Sequence, residues 1–320
     1  MPNDLSSLKA MDYRMANVRD YIEILRPAHW TKNVFVFAGL VFGKKLLAPS
    51  QEAAAAASQA LLIFVSFCLA SSAVYIFNDL VDREADRLHP RKGRRPIAAG
   101  RVASPMALVL SGVCALAAEC LGLMLARQLG VIVLVYLALM AVYSLVLKKV
   151  MILDCIVISI GFCLRAIAGA VAVGVFISPW MVICTFALCL FVAFAKRRGE
   201  LVQLGDNGRG FRLTLAGYTP ELLAHMLDVT SGLAIVCFLL YTMDERTRIL
   251  FGTNALVYTT PMVLFCIFRF SAQIQKGACL GPVEFILTDI PFQIGLVLWV
   301  LACVGIVYAG DVVAAWLPCR

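Results

Sequence analysis

The chain has 320 residues, of which 62% are hydrophobic and only 15% are charged. Soluble domains are about half apolar and about a quarter charged, so this composition excludes a water-soluble globule and predicts an integral membrane protein. The net charge of +8 means that 28 Lys and Arg residues crowd into the few polar stretches. There they can face anionic lipid head groups or an anionic substrate. The expected partners are therefore the lipid bilayer and small anionic molecules, not nucleic acid.

The first 32 residues are polar and mixed in charge. Between Met11 and Trp30 apolar side chains alternate with charged ones, which suits a helix lying on the cytoplasmic interface; a plain solvated leader is the alternative. We therefore divide the chain into a cytoplasmic N-terminal segment, 1–32, and a single transmembrane catalytic domain, 33–320.

Nine apolar runs are long enough to cross a hydrocarbon core of about 30 Å. They lie at about 33–49, 54–77, 104–126, 129–147, 152–175, 179–195, 221–243, 251–268 and 290–317. The first is interrupted by two glycines and two lysines, and the last contains Asp311. The sequence therefore predicts an all-α, multi-pass membrane protein with nine transmembrane helices.

The basic residues favour one orientation. If the N-terminus is cytoplasmic, 21 of the 28 Lys and Arg residues fall on the inside and six on the outside, with Arg165 inside a span. By the positive-inside rule this predicts a cell (inner) membrane protein whose long charged segments, 78–103 and 196–220, face the cytoplasm. An active site is expected there.

An acidic motif follows the second predicted span. If that helix continues, Asn78, Asp82 and Asp86 stack on one face, with Asp79 about 100° away, so four oxygen-bearing side chains share a narrow arc. Such a set suits Mg²⁺, which takes one or two carboxylates, several waters and substrate phosphate oxygens.

A basic segment follows the acids. Lys92, Arg94 and Arg95 come within a few residues of Asp86, and arginine makes bidentate contacts with phosphate. The motif therefore predicts a site for a diphosphate and its metal ion. The alternative is a solvated loop in which acids and bases pair with each other.

This pattern is similar to the first aspartate-rich motif of the UbiA superfamily of intramembrane prenyltransferases, whose members have nine helices around a cavity open to the cytoplasm. Over roughly residues 21–205 the chain more closely resembles one branch, the decaprenyl-phosphate phosphoribosyltransferases. The residues that carry this narrower resemblance are Leu25-Arg26-Pro27, Trp30, Lys32-Asn33, His89-Pro90, Lys92, Arg95-Pro96-Ile97-Ala98-Ala99-Gly100, Tyr143-Ser144, Leu147-Lys148, Asp154, Gly161-Phe162 and Arg165-Ala166-Ile167-Ala168-Gly169.

The segment after the sixth predicted span separates this branch from the aromatic prenyltransferases. Those enzymes carry a second acidic motif there, whereas this chain has Lys196, Arg197 and Arg198 with Glu200 as the nearby acid. This replacement of acidic by basic residues suits 5-phosphoribosyl diphosphate, which carries a phosphate besides its diphosphate. Lys196, Arg197 and Lys148 are then expected to meet that phosphate. For residues 196–198 a plain positive-inside anchor remains the alternative.

The fifth predicted span carries a polar stripe. Asp154 and Arg165 lie three turns apart on one helix face, and a charged residue within a span usually faces a polar cavity or a partner. Both are therefore expected to line the substrate cavity, the alternative being a structural ion pair with another helix. The resemblance adds Lys32, Tyr143 and Glu200 to the expected substrate contacts, although an aromatic residue such as Tyr143 is common near an interface.

Together these features predict an Mg²⁺-dependent membrane phosphoribosyltransferase. It would move 5-phosphoribose from 5-phosphoribosyl diphosphate to a polyprenyl (decaprenyl) phosphate in cell-wall or glycolipid precursor synthesis. Asp79, Asp82 and Asp86 are the predicted catalytic residues, and with Asn78 they form the predicted metal site. The alternatives are prenyl transfer from a prenyl diphosphate to an aromatic acceptor, and a membrane transporter. A homo-oligomer is left open.

Overall fold

A computed structural model describes residues 17–45, 49–90, 92–204, 215–276 and 282–309. These residues form α-helices, short 3-10 helices and connecting turns, with no strand among them. The prediction of an all-α protein is confirmed. The predictions that concern residues 1–16, Arg91, Arg209, Arg212 and Asp311 lie outside the described residues.

Within the described ranges, eight helices are long and apolar enough to cross a membrane. They are α3 (Ser50–Val81), α5 (Ser104–Leu125), α6 (Arg127–Leu145), α7 (Leu153–Ala172), α8 (Pro179–Leu204), α9 (Pro220–Met243), α11 (Thr260–Gln275, extended at its start by a 3-10 turn, Ala255–Thr259) and α13 (Ile290–Tyr308). Each corresponds to one of the last eight predicted spans, and the multi-span prediction is confirmed.

The part of the chain that the structure describes also contains five shorter α-helices between or before the spans. They are α1 (Val18–Leu25), α2 (Ala38–Phe42), α4 (Arg83–Leu88), α10 (Glu245–Phe251) and α12 (Pro282–Thr288). Helix α1 lies in the stretch predicted to be interfacial and buries Ile24. Helix α4 continues the acidic motif beyond the end of α3.

The first predicted span, 33–49, is not one α-helix of transmembrane length. A 3-10 helix, Pro27–Phe37, leads into the five residues of α2 instead. The aromatic and β-branched residues at its end, such as Val34 and Phe35, are poor α-helix formers. Close packing also contributes, because the backbone of this segment lies directly against α7: a Cβ atom on Gly169 would overlap the carbonyl group of Val36.

Helix α7 lies at the centre of the bundle. On one side it shares an apolar cluster with α3, α5 and α6, and on the other it packs against α8 within a second cluster that extends to α9, α11 and α13. Because it is enclosed on both sides, its polar residues Asp154 and Arg165 are buried. Each must therefore find a partner inside the protein.

Candidate active site

The acidic motif lies where α3 ends. Helix α3 stops at Val81, Asp82 occupies the turn, and α4 begins at Arg83. The break rearranges the four oxygen-bearing side chains that the sequence predicts on one continuous helix face. They form two pairs, each held by cations from elsewhere in the fold.

The first pair consists of Asp79 and Asp86, which are both buried. One guanidinium nitrogen of Arg95 lies 2.9 Å from Asp79 and 2.6 Å from Asp86, so it joins the two carboxylates. Arg26 donates to both oxygens of Asp79 at 2.7 and 2.6 Å. The ammonium group of Lys92 lies 3.9 Å from Asp86. The basic segment predicted beside the acids thus packs directly on them.

Arg26 reaches Asp79 through an unusual backbone conformation. Its φ of 52° places it in the left-handed region, at the junction between α1 and the 3-10 helix. A non-glycine residue in this region carries a strain of order 1–3 kcal/mol and is typical of functional positions. The sequence showed Arg26 only as part of the resemblance and gave no sign that it contacts the acids.

The second pair consists of Asn78 and Asp82. The Asn78 side-chain amide donates to Asp82 at 3.1 Å, and the Lys148 ammonium group lies 3.1 Å from the amide oxygen and 2.6 Å from the Asp82 carboxylate. Lys148 comes from the 3-10 turn after α6. The side chain of Asp82 is 31% exposed, against 4% for Asp79, so this pair is the one open to an incoming ligand.

The two pairs fit a divalent cation by their chemistry. Arg95 already occupies a point between two carboxylates, where a metal ion could bind equally well. Among the described residues no three His, Cys, Asp or Glu side chains converge on one point. Mg²⁺ does not require three, because water and substrate phosphate complete its shell.

A cationic group lies next to the first pair. Lys32, His29 and Arg26 surround the ring of Tyr75, with the Lys32 ammonium 3.4 Å from the Tyr75 hydroxyl and the imidazole centroid 5.1 Å from the ring centroid. Tyr75 precedes Asp79 by one turn of α3, so both lie on the same helix face.

This group brings positive charges close together. Lys32 is half-buried, and Arg26 lies against the same Tyr75 ring. The described residues place no carboxylate against Lys32. A group of this kind would be stabilised by a bound anion.

Arg165 lies deeper, between α7, α6 and the 3-10 helix. Its guanidinium donates to Asn33 at 2.7 Å and to the Tyr136 hydroxyl at 2.8 Å, and lies 5.0 Å from the Phe162 ring centroid. Only 6% of Arg165 is exposed, and within the described part of the chain no carboxylate pairs with it. Sequence reasoning missed Tyr136, which lies 29 positions before Arg165 without a recognisable motif.

Asp154 and Arg197 are a buried ion pair. Arg197 donates to Asp154 at 2.9 Å and to Glu200 at 2.6 Å, and Asp154 also accepts from the Tyr218 hydroxyl at 3.3 Å. Burial and the nearby Cys155 and Asp154 raise the pKa of Tyr218, so it remains a hydrogen-bond donor. Two carboxylates take up the guanidinium of Arg197 in this structure, so a direct contact between Arg197 and a substrate phosphate stays a prediction. The contact of Asp154 with Arg197 is the ion pair between helices that the sequence left open as an alternative.

The remaining predicted residues lie around this pair. Lys196 is 56% exposed at the end of α8, with its ammonium 3.8 Å from Glu200. Tyr143 is half-buried on α6 against the apolar cluster of α3, α5, α6 and α7. The predicted site residues thus divide into one charged group at the end of α3 and another at the end of α8.

A helical membrane bundle that gathers carboxylates and cations at one end has the features of an intramembrane transferase. The model of the UbiA prenyltransferase family matches residues 34–278. The chain belongs to this family.

Two relatives bear the same curated name. The decaprenyl-phosphate phosphoribosyltransferase of Mycolicibacterium smegmatis is 34% identical over 291 residues, covering 88% of this chain and 91% of the relative. The protein of that name from Corynebacterium glutamicum is 34% identical over 295 residues, covering 90% and 86%. Among solved structures, a UbiA homologue from Archaeoglobus fulgidus bound to DMAPP and Mg²⁺ is similar, with a TM-score of 0.67 at 17% identity over 90% of this chain and 99% of that one.

Proposed function

We propose that this chain transfers 5-phosphoribose from 5-phosphoribosyl diphosphate to a long-chain polyprenyl phosphate such as decaprenyl phosphate. The bond between ribose C1 and the diphosphate oxygen breaks, a bond between C1 and an oxygen of the lipid phosphate forms, and diphosphate leaves with the electron pair. The names and full-length similarity of the relatives support this reaction. The lipid product would be a precursor of cell-wall polymers or glycolipids.

Asn78, Asp79, Asp82 and Asp86 would hold Mg²⁺ in this scheme. When bound, the ion would neutralise the charge that develops on the departing diphosphate. Lys148 and Arg95 would exchange part of their carboxylate contacts for phosphate oxygens, and Lys92 would join them from the edge of the site. The lipid phosphate is already ionised at neutral pH, so the reaction needs positioning and charge neutralisation more than a general base.

The proposal that the donor has a second anionic group rests on Lys32. It is half-buried, it contacts Tyr75 on the helix face that leads to Asp79, and the described residues give it no carboxylate. The phosphate at the far end of 5-phosphoribosyl diphosphate supplies the missing charge. Arg165, which Asn33 and Tyr136 hold deeper in the bundle, adds positive potential to the site. Lys32 and Arg165 would share the role that the sequence predicts for Lys196, Arg197 and Lys148.

Prenyl transfer to an aromatic acceptor is the alternative, and the structure offers it less support. A second acidic motif would need carboxylates at the end of α8 that can bind a metal ion. Glu200 and Asp154 both contact Arg197 there, at 2.6 and 2.9 Å. Arg197 is only 2% exposed, whereas Arg95 beside the first pair is 28% exposed, so a second metal ion would have to displace an enclosed guanidinium.

We also propose a ninth crossing, made by the segment from Pro27 to Phe42. Arg26 contacts Asp79 at one end of α3, and Leu40 packs in one cluster with Ala56 near the other end. Those two α3 positions are about 35 Å apart along the helix axis. A 3-10 helix rises about 2.0 Å per residue, so it crosses with fewer residues than an α-helix.

The excess of basic residues at the acidic end supports an orientation with that end, and a cavity between the helices there, facing the cytoplasm of a bacterial-type cell membrane. A donor made in the cytosol would then reach Asp82 directly, while the prenyl tail stays in lipid. Accessibility of single cysteines in intact cells would test this: a cysteine introduced at Glu84 should resist a membrane-impermeant reagent, and one introduced at Arg248 should react.

The reaction itself can be tested with purified protein, Mg²⁺, ribose-labelled 5-phosphoribosyl diphosphate and decaprenyl phosphate. Label should enter the organic phase, and it should require both Mg²⁺ and the lipid phosphate. A parallel assay would use labelled prenyl diphosphate and an aromatic acid. Activity only in the parallel assay would overturn the proposal.

A further inference from the structure

A pocket lies at the end of the bundle opposite the acidic motif. It opens where α2 and α7 end, where α8 begins and where α9 joins α10, and its volume is about 580 Å³. Its lining combines apolar and basic side chains with hydroxyl groups. The residues that matter here are Phe42, Lys45, Phe176, Ser178, Met181 and Arg246.

The charge of this pocket is positive. The Arg246 guanidinium lies 4.6 Å from the ring centroid of Phe176, and the described part of the chain places no carboxylate against it. Lys45 lines the other side and is paired with the exposed Glu52 at 2.5 Å. Two basic residues, Lys45 and Arg246, thus line one pocket among the described residues.

A buried hydroxyl group also lines it. Ser178 is 7% exposed, and its oxygen has no hydrogen-bond partner among the described residues. Burying a polar atom without a partner is unfavourable, so such atoms usually have a ligand or water to bind. The hydroxyl could donate to an anionic oxygen that the cations attract.

We propose that this pocket binds the phosphate head group of an anionic phospholipid from the leaflet opposite the acidic motif. The position fits, because the ends of the transmembrane helices lie at head-group level. The lining fits as well: Arg246 and Ser178 recognise the phosphate, while Phe42 and Met181 cover the start of the acyl chains. This site is separate from the reaction and would anchor or stabilise the far end of the bundle.

Lipid selectivity of the purified full-length protein tests the proposal. The protein would be stripped of lipid in a neutral detergent, and phosphatidylglycerol or phosphatidylcholine of matched chains would be added. Binding counted by native mass spectrometry and the thermal unfolding temperature should both favour phosphatidylglycerol. Arg246→Gln should weaken that binding about fivefold, the effect of one basic residue at a membrane surface. Arg248→Gln, on the same short helix but outside the pocket, is the matched control.

Ser178→Ala gives an independent variant, since it removes the hydroxyl with little loss of volume and should lower the selectivity for phosphatidylglycerol. Inorganic phosphate, which has no acyl chains, should bind weakly. Tight binding of phosphate would show that the pocket is a site for a soluble anion and would overturn the proposal. Equal binding of the two lipids, or equal losses in Arg246→Gln and Arg248→Gln, would also overturn it.

Discussion

The ammonium group of Lys148 lies 2.6 Å from the carboxylate of Asp82, although 66 residues separate them in the chain. The contact joins the turn after α6 to the turn after α3. Despite this contact, Asp82 is more exposed than Asp79 and Asp86, because Arg26 and Arg95 enclose those two carboxylates. The acidic motif therefore has an open half and a closed half, and substrate would arrive at the open one.

Asp82→Asn should lower kcat/KM for phosphoribosyl transfer by about 100-fold, because the open pair loses the charge that would hold Mg²⁺ and the diphosphate. The unfolding temperature should change little, since the side chain is partly exposed. Glu84→Gln is the matched control: that carboxylate is 76% exposed two residues away and should be dispensable. Steady-state kinetics across Mg²⁺ concentrations would measure the effect. Full activity of Asp82→Asn would show that the metal assignment is wrong.

Lys32 should contribute to binding of the donor. Lys32→Met should raise the donor KM about tenfold at neutral pH, because it removes a cation that no described carboxylate neutralises. Lys32→Arg keeps the charge and should recover most of the affinity. Lys149→Met, on the exposed side of the turn after α6, is the control and should leave the donor KM unchanged. Steady-state kinetics would measure the effect, and an unchanged donor KM in Lys32→Met would argue against a phosphate contact.

Gly169→Ala should destabilise the protein, by about 1–3 kcal/mol if the neighbouring segment can shift. The added methyl group would overlap the carbonyl of Val36 on the segment proposed as the ninth crossing. Gly112→Ala is the matched control, since nothing lies within 4 Å of its added atom and alanine favours the helix. Thermal unfolding in detergent would compare the two. Equal unfolding temperatures would show that the first segment does not pack against α7 as described.

The sequence was most informative where the signal is local. Hydropathy placed the last eight spans, and the spacing of Asn78, Asp79, Asp82 and Asp86 located the charged end of the bundle. It could not place Arg197 against Asp154, because that contact depends on how α7 and α8 pack. The first span was predicted as an ordinary helix for a related reason, since hydropathy reports the length of an apolar run and not its rise per residue.

Arg197→Met should be strongly destabilising, by about 3–5 kcal/mol, because it removes the guanidinium that donates to the fully buried carboxylate of Asp154. Lys196→Met, one residue earlier and mostly exposed, should have little effect on the unfolding temperature. The double variant Arg197→Met with Asp154→Asn should recover part of the loss. If the single variant unfolds like the parent protein but has a raised donor KM, Arg197 binds substrate after all.

Arg165→Met should lower activity and leave stability nearly unchanged, the opposite of what we expect for Arg197→Met. No described carboxylate loses its partner, and removing a buried cation offsets the cost of the vacated hydrogen bonds to Asn33 and Tyr136. The free energy of unfolding should therefore change by about 1 kcal/mol or less. Transfer activity should fall at least tenfold, because the site loses the permanent positive charge that Arg165 places near Lys32. Measuring both quantities on both arginine variants separates the roles. A large loss of stability with unchanged kcat/KM would assign Arg165 to the fold and remove it from the reaction.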